Sequence, residues 1–210
     1  MSPPFTVYLT TRESICSGVL LNKTTILTAA HCLYKAKDLE VYAGMTNKNI
    51  QLKNQSPLQI SSIHLASGYD HKNLINDLAI IKLSKPLSKR DVSFVVPYYG
   101  HVSTGTEAIV SGWGVELNGQ LTHRVRSLKV SIYDDDSCIA KYGNDYLKST
   151  QLCAGSLEQD FCIGDSGGPL IIGQNNLIGI VSYTGSQCSD KRPSVYTKLS
   201  AYRSFIENYI

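Results

Sequence analysis

The 210-residue sequence has no stretch approaching the roughly 18 consecutive apolar residues of a membrane-spanning helix. It has no Cys-x-x-Cys pair, so neither a zinc ribbon nor a dithiol redox motif has support. Its histidines, His31, His64, His71, His101 and His123, show no His-x-x-x-His spacing, which argues against a hydrolase built on a helical metal site. It lacks an excess of either charge. Twenty Lys and Arg against 17 Asp and Glu leave +3, too little to argue for nucleic acid or an anionic membrane as partner. Internal repeats, low-complexity tracts and charge blocks are also missing. At 42% hydrophobic residues, disorder is not expected.

What is present points to strands. There are 13 Tyr and many Val, Ile and Thr, the residues that suit a pleated, half-buried surface. Short apolar runs at 5–9, 18–21, 39–42, 78–83, 108–110, 128–132 and 177–183 are separated by turn residues, the spacing of an all-β barrel or sandwich. Residues 97–105 are polar and turn-rich, a candidate linker between halves of similar size. Helical signal is confined mainly to the end. After Ser200, a candidate N-cap, Tyr202, Phe205, Ile206 and Tyr209 fall on one helical face, which predicts a C-terminal helix docked on the β core. A single helical turn is expected at Ala29-Ala30-His31-Cys32.

Six cysteines form an even set, which points to disulfides and secretion, with reduced cytosolic thiols as the alternative. The acceptor tripeptides at Asn22 and Asn54 fit a secretory route but carry little weight. No leader precedes Met1-Ser2-Pro3-Pro4, so the expectation is a fragment, a mature form or an engineered version.

Three segments carry chemistry. Gly164-Asp165-Ser166-Gly167-Gly168-Pro169 sets a serine in a turn whose backbone can take unusual dihedrals and whose N–H groups can face one anion, as acyl transfer requires. Thr28-Ala29-Ala30-His31-Cys32 offers a base, and Asn76-Asp77-Leu78-Ala79-Ile80 offers a carboxylate to orient it. Taken singly, each has a plainer reading: a glycine-rich turn, a structural histidine, a turn aspartate.

Together, in the order His31, Asp77, Ser166, the segments resemble the chymotrypsin/trypsin family of serine proteases. Ser111-Gly112-Trp113-Gly114, Gly179-Ile180-Val181-Ser182-Tyr183 and Pro193-Ser194-Val195-Tyr196-Thr197 add to the match. The resemblance implies an all-β fold of two antiparallel six-stranded β-barrels with a C-terminal α-helix. Residues 1–98 would carry His31 and Asp77, and residues 99–210 would carry Ser166, the two forming one peptidase domain. It implies Ser166 as nucleophile, His31 as general base, Asp77 as its orienter, and the N–H groups of Gly164 and Ser166 as the oxyanion hole. Ser182, Tyr183 and Thr184 would pair with substrate as an added strand. It further implies the bridges Cys16–Cys32, Cys138–Cys153 and Cys162–Cys188, with Ala108 and Ile172 standing where many members have another.

The sequence also departs from that pattern. Activated members carry a short apolar amino terminus whose free amine pairs with the carboxylate before the nucleophile, here Asp165. The sequence as written starts too late to supply it, so a zymogen-like state is expected. Asp160 aligns with the aspartate that selects Arg or Lys, but Phe161, Thr184 and Ser194 add bulk around the pocket. Residues 44–49 hold no carboxylate where members often bind calcium, so no metal or cofactor is expected. The resulting expectation is a secreted, extracellular, monomeric serine endopeptidase. It would act on protein or peptide substrates, with preference for Arg or Lys before the scissile bond, and be open to a protein inhibitor. Its alternative is a non-catalytic or zymogen-like homologue that binds a protein partner.

Overall fold

The computed structural model of the protein describes residues 4–52, 54–88, 92–114, 122–156, 165–184 and 192–210. Thirteen strands and three short α-helices make up the described regular structure, with isolated 3-10 turns between them. The first sheet holds β1 (Thr6–Thr10), β2 (Ile15–Leu20), β3 (Thr25–Thr28), β4 (Glu40–Tyr42), β5 (Ile60–Leu65) and β6 (Ala79–Leu83), all antiparallel in the order β4-β1-β2-β3-β6-β5. Its two edges are drawn together by the Leu58 N–H, which donates to the Val41 carbonyl at 2.8 Å. Strand β3 is buried along its whole length, whereas β5 alternates between half-buried and exposed residues and so marks an edge.

The second sheet contains β8 (Glu107–Gly112), β9 (Arg126–Ile132), β10 (Gln151–Gly155), β11 (Pro169–Ile172), β12 (Asn176–Tyr183) and β13 (Ser194–Lys198). The ring β8-β9-β10-β13-β12-β11 closes because β11 pairs with both β8 and β12. Closure removes the open edges that would otherwise expose unpaired backbone groups. The two-residue β7 (Val96–Pro97) adds to β12 in parallel. Two barrel-like antiparallel sheets are therefore present, the fold that the resemblance implies, with this one parallel addition.

The helices differ more from expectation. The chain after β13 makes a 3-10 turn at Leu199–Tyr202 and only then α3 (Arg203–Glu207), and Ser200 lies inside the turn rather than capping a helix. Tyr202, Phe205 and Tyr209 still pack with buried Ile206 onto the first core, as their spacing predicts. Helix α1 (Lys48–Gln51) and helix α2 (Asp135–Tyr142) were not expected. The start of α2 is legible in hindsight: Asp134 caps the helix by accepting the Ser137 N–H at 2.7 Å. The expected single turn falls at Ala30–Cys32.

One core fills the first sheet and runs across the junction, since Ile171, Leu177, Ile180, Leu199 and Ile206 join it. A second fills the closed barrel and includes Ala108, with Ile172 packed against it in place of a bridge. Full burial of each large aliphatic side chain contributes about 1.5–3 kcal/mol before entropy is counted, so the shared core also holds the two sheets together.

Candidate active site

Asp77 lies two residues before β6 with its side chain fully buried, while the His31 ring, in the turn after β3, is 20% exposed. The carboxylate Oδ2 lies 2.7 Å from His31 Nδ1, and Oδ1 accepts the His31 backbone N–H at 2.8 Å. An ionised carboxylate only accepts, so Nδ1 carries the proton and Nε2 is left as the acceptor. Ser182 Oγ donates to the same Oδ2 at 2.5 Å. A buried carboxylate without such partners would be costly, and here two N–H donors and one hydroxyl meet it.

The backbone around Asp77 is held as firmly. Thr197 Oγ1 donates to the Asp77 carbonyl at 2.7 Å, and Tyr202 OH donates to Asn76 Oδ1 at 2.8 Å. Asn76 adopts a left-handed φ of 54°, which Asn tolerates, and its amide reaches back to the Ser67 and Gly68 carbonyls. Burial, and then the Asp77 charge, push the Tyr69 phenol far above its ordinary pKa, so it stays protonated.

Ser166 lies in the turn before β11 and is partly buried. Its carbonyl accepts the Ser17 N–H at 2.7 Å, and Thr28 Oγ1 donates to the Ser17 carbonyl at 2.7 Å. Gly167 has φ 80°, and a Cβ there would overlap Thr28 Oγ1 and the Ser17 carbonyl. Only glycine permits this approach, which docks the turn on β2 and β3 just before His31. In the turn, the Gly167 and Gly168 N–H groups are taken by the Val181 and Asp165 carbonyls. Among the described residues the Ser166 N–H has no acceptor, and no hydrogen bond joins Ser166 Oγ to the imidazole.

Asp165 is buried, and its Oδ1 accepts the Gly114 N–H at 2.9 Å. Its carboxylate occupies the space a Cβ on Gly112 or Gly114 would need, which accounts for both glycines of Ser111-Gly112-Trp113-Gly114. The Cys16–Cys32 bridge ties β2 to the His31 turn, and Cys138–Cys153 ties α2 to β10. Cys32 Sγ is 3.7 Å from His31 Nε2, but both sulfurs of that pair are spent in the disulfide and supply no thiolate ligand.

Other expected site residues fall in two groups. Tyr183 ends β12 half-buried, its hydroxyl on the Asp145 carbonyl at 3.0 Å, with half-buried Thr184 following it. Ser194 is buried at the start of β13, opposite Ala154. Gly164, Asp160, Phe161, Cys162 and Cys188 lie outside the described residues. Sequence reasoning missed the second contact of Ser182 and the parts of Thr197, Tyr202, Ser17 and Thr28. No local pattern marks them.

Two barrel-like β-sheets with an Asp-oriented histidine and a glycine-flanked serine at their junction define the chymotrypsin-like class of fold. The Trypsin family model matches residues 1–206. Trypsin-3 of Salmo salar is 36% identical over 200 residues, covering 92% of this chain and 82% of the relative. Trypsin of Sus scrofa is 33% identical over 216 residues, covering all of this chain and 91% of the relative. Among solved structures, neuropsin, described as a serine protease expressed in the limbic system of mouse brain, superposes with a TM-score of 0.88 at 28% identity, covering 99% of this chain and 94% of that one. The chain belongs to the trypsin family of serine proteases.

Proposed function

We propose that the protein is a secreted serine endopeptidase in which Ser166, His31 and Asp77 act as a unit. Ser166 Oγ attacks the scissile carbonyl carbon while His31 Nε2 takes its proton. The tetrahedral oxyanion is met by the N–H groups of Ser166 and Gly164. As the C–N bond breaks, the imidazolium returns the proton to the departing amine, leaving an acyl-enzyme. Water then repeats the sequence and frees Ser166. Asp77 holds the imidazole tautomer and stabilises its charged form. Substrate lies along Ser182, Tyr183 and Thr184, and Asp160 favours Arg or Lys before the scissile bond.

The observation that carries this reading is the fully buried Asp77 carboxylate 2.7 Å from His31 Nδ1, which leaves Nε2 to accept a proton. Among the described residues the Ser166 N–H has no acceptor, which supports the oxyanion assignment, and catalytic hydrogen bonds from the serine commonly tighten only with substrate in place. Two formed disulfides support secretion. A fluorophosphonate probe should label Ser166 in the folded mature protein, and Ser166→Ala should abolish labelling and lower turnover by roughly 10³-fold or more. A folded protein that resists the probe would overturn the reading in favour of a binding homologue.

A further inference from the structure

We propose that Lys35 and Lys37, on the loop after His31, make the protein select acidic side chains on the leaving-group half of the substrate, which lies in the cleft between that loop and the β1–β2 hairpin tip. The proposal rests on Ser166 acting as nucleophile. Two separate clefts flank the candidate site. One, of about 410 Å³, is lined by Leu74 and Tyr183 and so adjoins the end of β12 where the acyl half is proposed to pair. The other, of about 600 Å³, opens at His31 and Cys32 and contains no residue of β12. The imidazole hands its proton to the departing amine, so the chain that leaves must run beside His31 and away from β12. That path is the second cleft.

The charges in this cleft do not cancel. Arg12 on the hairpin tip pairs with Asp38 on the facing loop at 2.9 Å, which ties the two walls and neutralises both groups. Lys35 and Lys37 remain, exposed and without a carboxylate partner among the described residues, against the single carboxylate of Glu13. The loop that presents them is fixed rather than loose. Lys35 and Asp38 both hold a left-handed φ of 55°, a conformation that costs free energy for a side-chain-bearing residue and persists only when its surroundings impose it. The Tyr34 N–H bonds the Ala30 carbonyl at 2.9 Å, and the Tyr34 ring stacks on His71 with centroids 4.5 Å apart. Lys35 Nζ sits 5.1 Å from the Tyr34 centroid, held beside the imidazole turn by a cation–π contact. A carboxylate on the first or second residue after the scissile bond would meet these ammonium groups, and a cation there would be repelled.

The test uses internally quenched peptides with one acyl half and Glu, Gln or Lys at the first two leaving-side positions. The Glu peptides should show kcat/KM about threefold to tenfold above the Lys peptides, as expected of solvent-exposed pairs, and the ratio should shrink at 1 M salt. The double variant Lys35→Gln, Lys37→Gln should bring the ratio close to one. A ratio of one in the parent protein, or one that survives the double substitution, overturns the proposal. A second measurement needs no turnover: short free-amine peptides carrying Glu should bind the folded Ser166→Ala protein more tightly than those carrying Lys, and equal binding overturns it. Fluorophosphonate labelling separates the two readings. A labelled protein indifferent to leaving-side charge loses only the cleft assignment, whereas an unlabelled one loses the nucleophile, and peptide binding still decides the cleft.

Discussion

The two sheets brace each other's candidate residues in opposite ways. Asp77 belongs to the first sheet, yet the hydroxyls that hold its dipeptide, Ser182, Thr197 and Tyr202, all come from the second sheet and the turn that follows it. Ser166 belongs to the second sheet, yet its turn is held by the Ser17 N–H and packed on Thr28, both in the first. The first bracing is by side-chain donors on a buried charge. The second is by backbone contact that only a glycine permits. Neither half of the site is therefore built by its own sheet alone, and loosening the junction should disorder both. Their chemistry predicts different failures: loss of a hydroxyl leaves the Asp77 charge under-solvated, while loss of a close approach pushes the Ser166 turn away.

The largest expected effect breaks the first side at its centre. Asp77→Asn would turn an NH₂ or a weaker acceptor toward His31 Nδ1 and favour the wrong tautomer, lowering turnover about 10⁴-fold with little change in fold. Steady-state kinetics with circular dichroism on the same sample would check it, and an effect below tenfold would remove Asp77 from its proposed role.

Next comes the other side. Gly167→Ala puts a methyl where Thr28 Oγ1 and the Ser17 carbonyl already sit, at a φ of 80°. Strain and overlap together should destabilise the protein by more than about 1 kcal/mol and slow fluorophosphonate labelling. Thermal melts and labelling rates would read it, and an unchanged melting temperature would show that the docking of the turn is incidental.

Ser182→Ala should be milder, because Asp77 keeps its two His31 donors. Hydrogen bonds to charged groups contribute about 1.5–3 kcal/mol, so a loss of roughly tenfold or more in kcat/KM is expected. Steady-state kinetics would read it, and equal kcat/KM in the parent and Ser182→Ala would show that the two His31 donors hold Asp77 without the hydroxyl.

The smallest effect tests the seam. Lys48 on α1 is buried, its N–H on the His123 carbonyl at 2.9 Å, and burial pushes its ammonium below the ordinary 10.5. A depressed lysine binds its proton less readily folded than unfolded. It therefore penalises folding fully below its folded pKa, and the penalty fades as pH rises toward 10.5. The urea midpoint of the parent minus that of Lys48→Met should accordingly become less negative between neutral pH and pH 10. A difference that stays flat would mean the amine is solvated.

Much of the fold is legible along the chain. Short apolar runs at 108–110, 128–132 and 177–183 forecast the strands found at 107–112, 126–132 and 176–183, and the spacing of Tyr202, Phe205, Ile206 and Tyr209 forecast the docked C-terminal face. Strand β5 escaped notice because its half-exposed edge position gives it a mixed pattern, and α2 because its polar sequence hides behind one capping aspartate. Resemblance singled out His31, Asp77 and Ser166 and paired Cys16 with Cys32 and Cys138 with Cys153, and both bridges form.

By itself, then, the sequence determined the residue types that chemistry needs, the alternation that makes sheets, and the glycines that let Asp165 and the Ser166 turn approach other backbone. Only the tertiary structure decided which hydroxyls meet Asp77. Ser182 lies 105 residues away and Thr197 lies 120 away, and contacts at such separations leave no periodic trace in the chain. The same holds for the cleft beside His31, whose net charge depends on Arg12 finding Asp38 while Lys35 and Lys37 have no carboxylate partner among the described residues. A linear count of charges weighs every lysine alike, whereas folding cancels some and concentrates others, because the Coulomb attraction between groups falls with their distance in space.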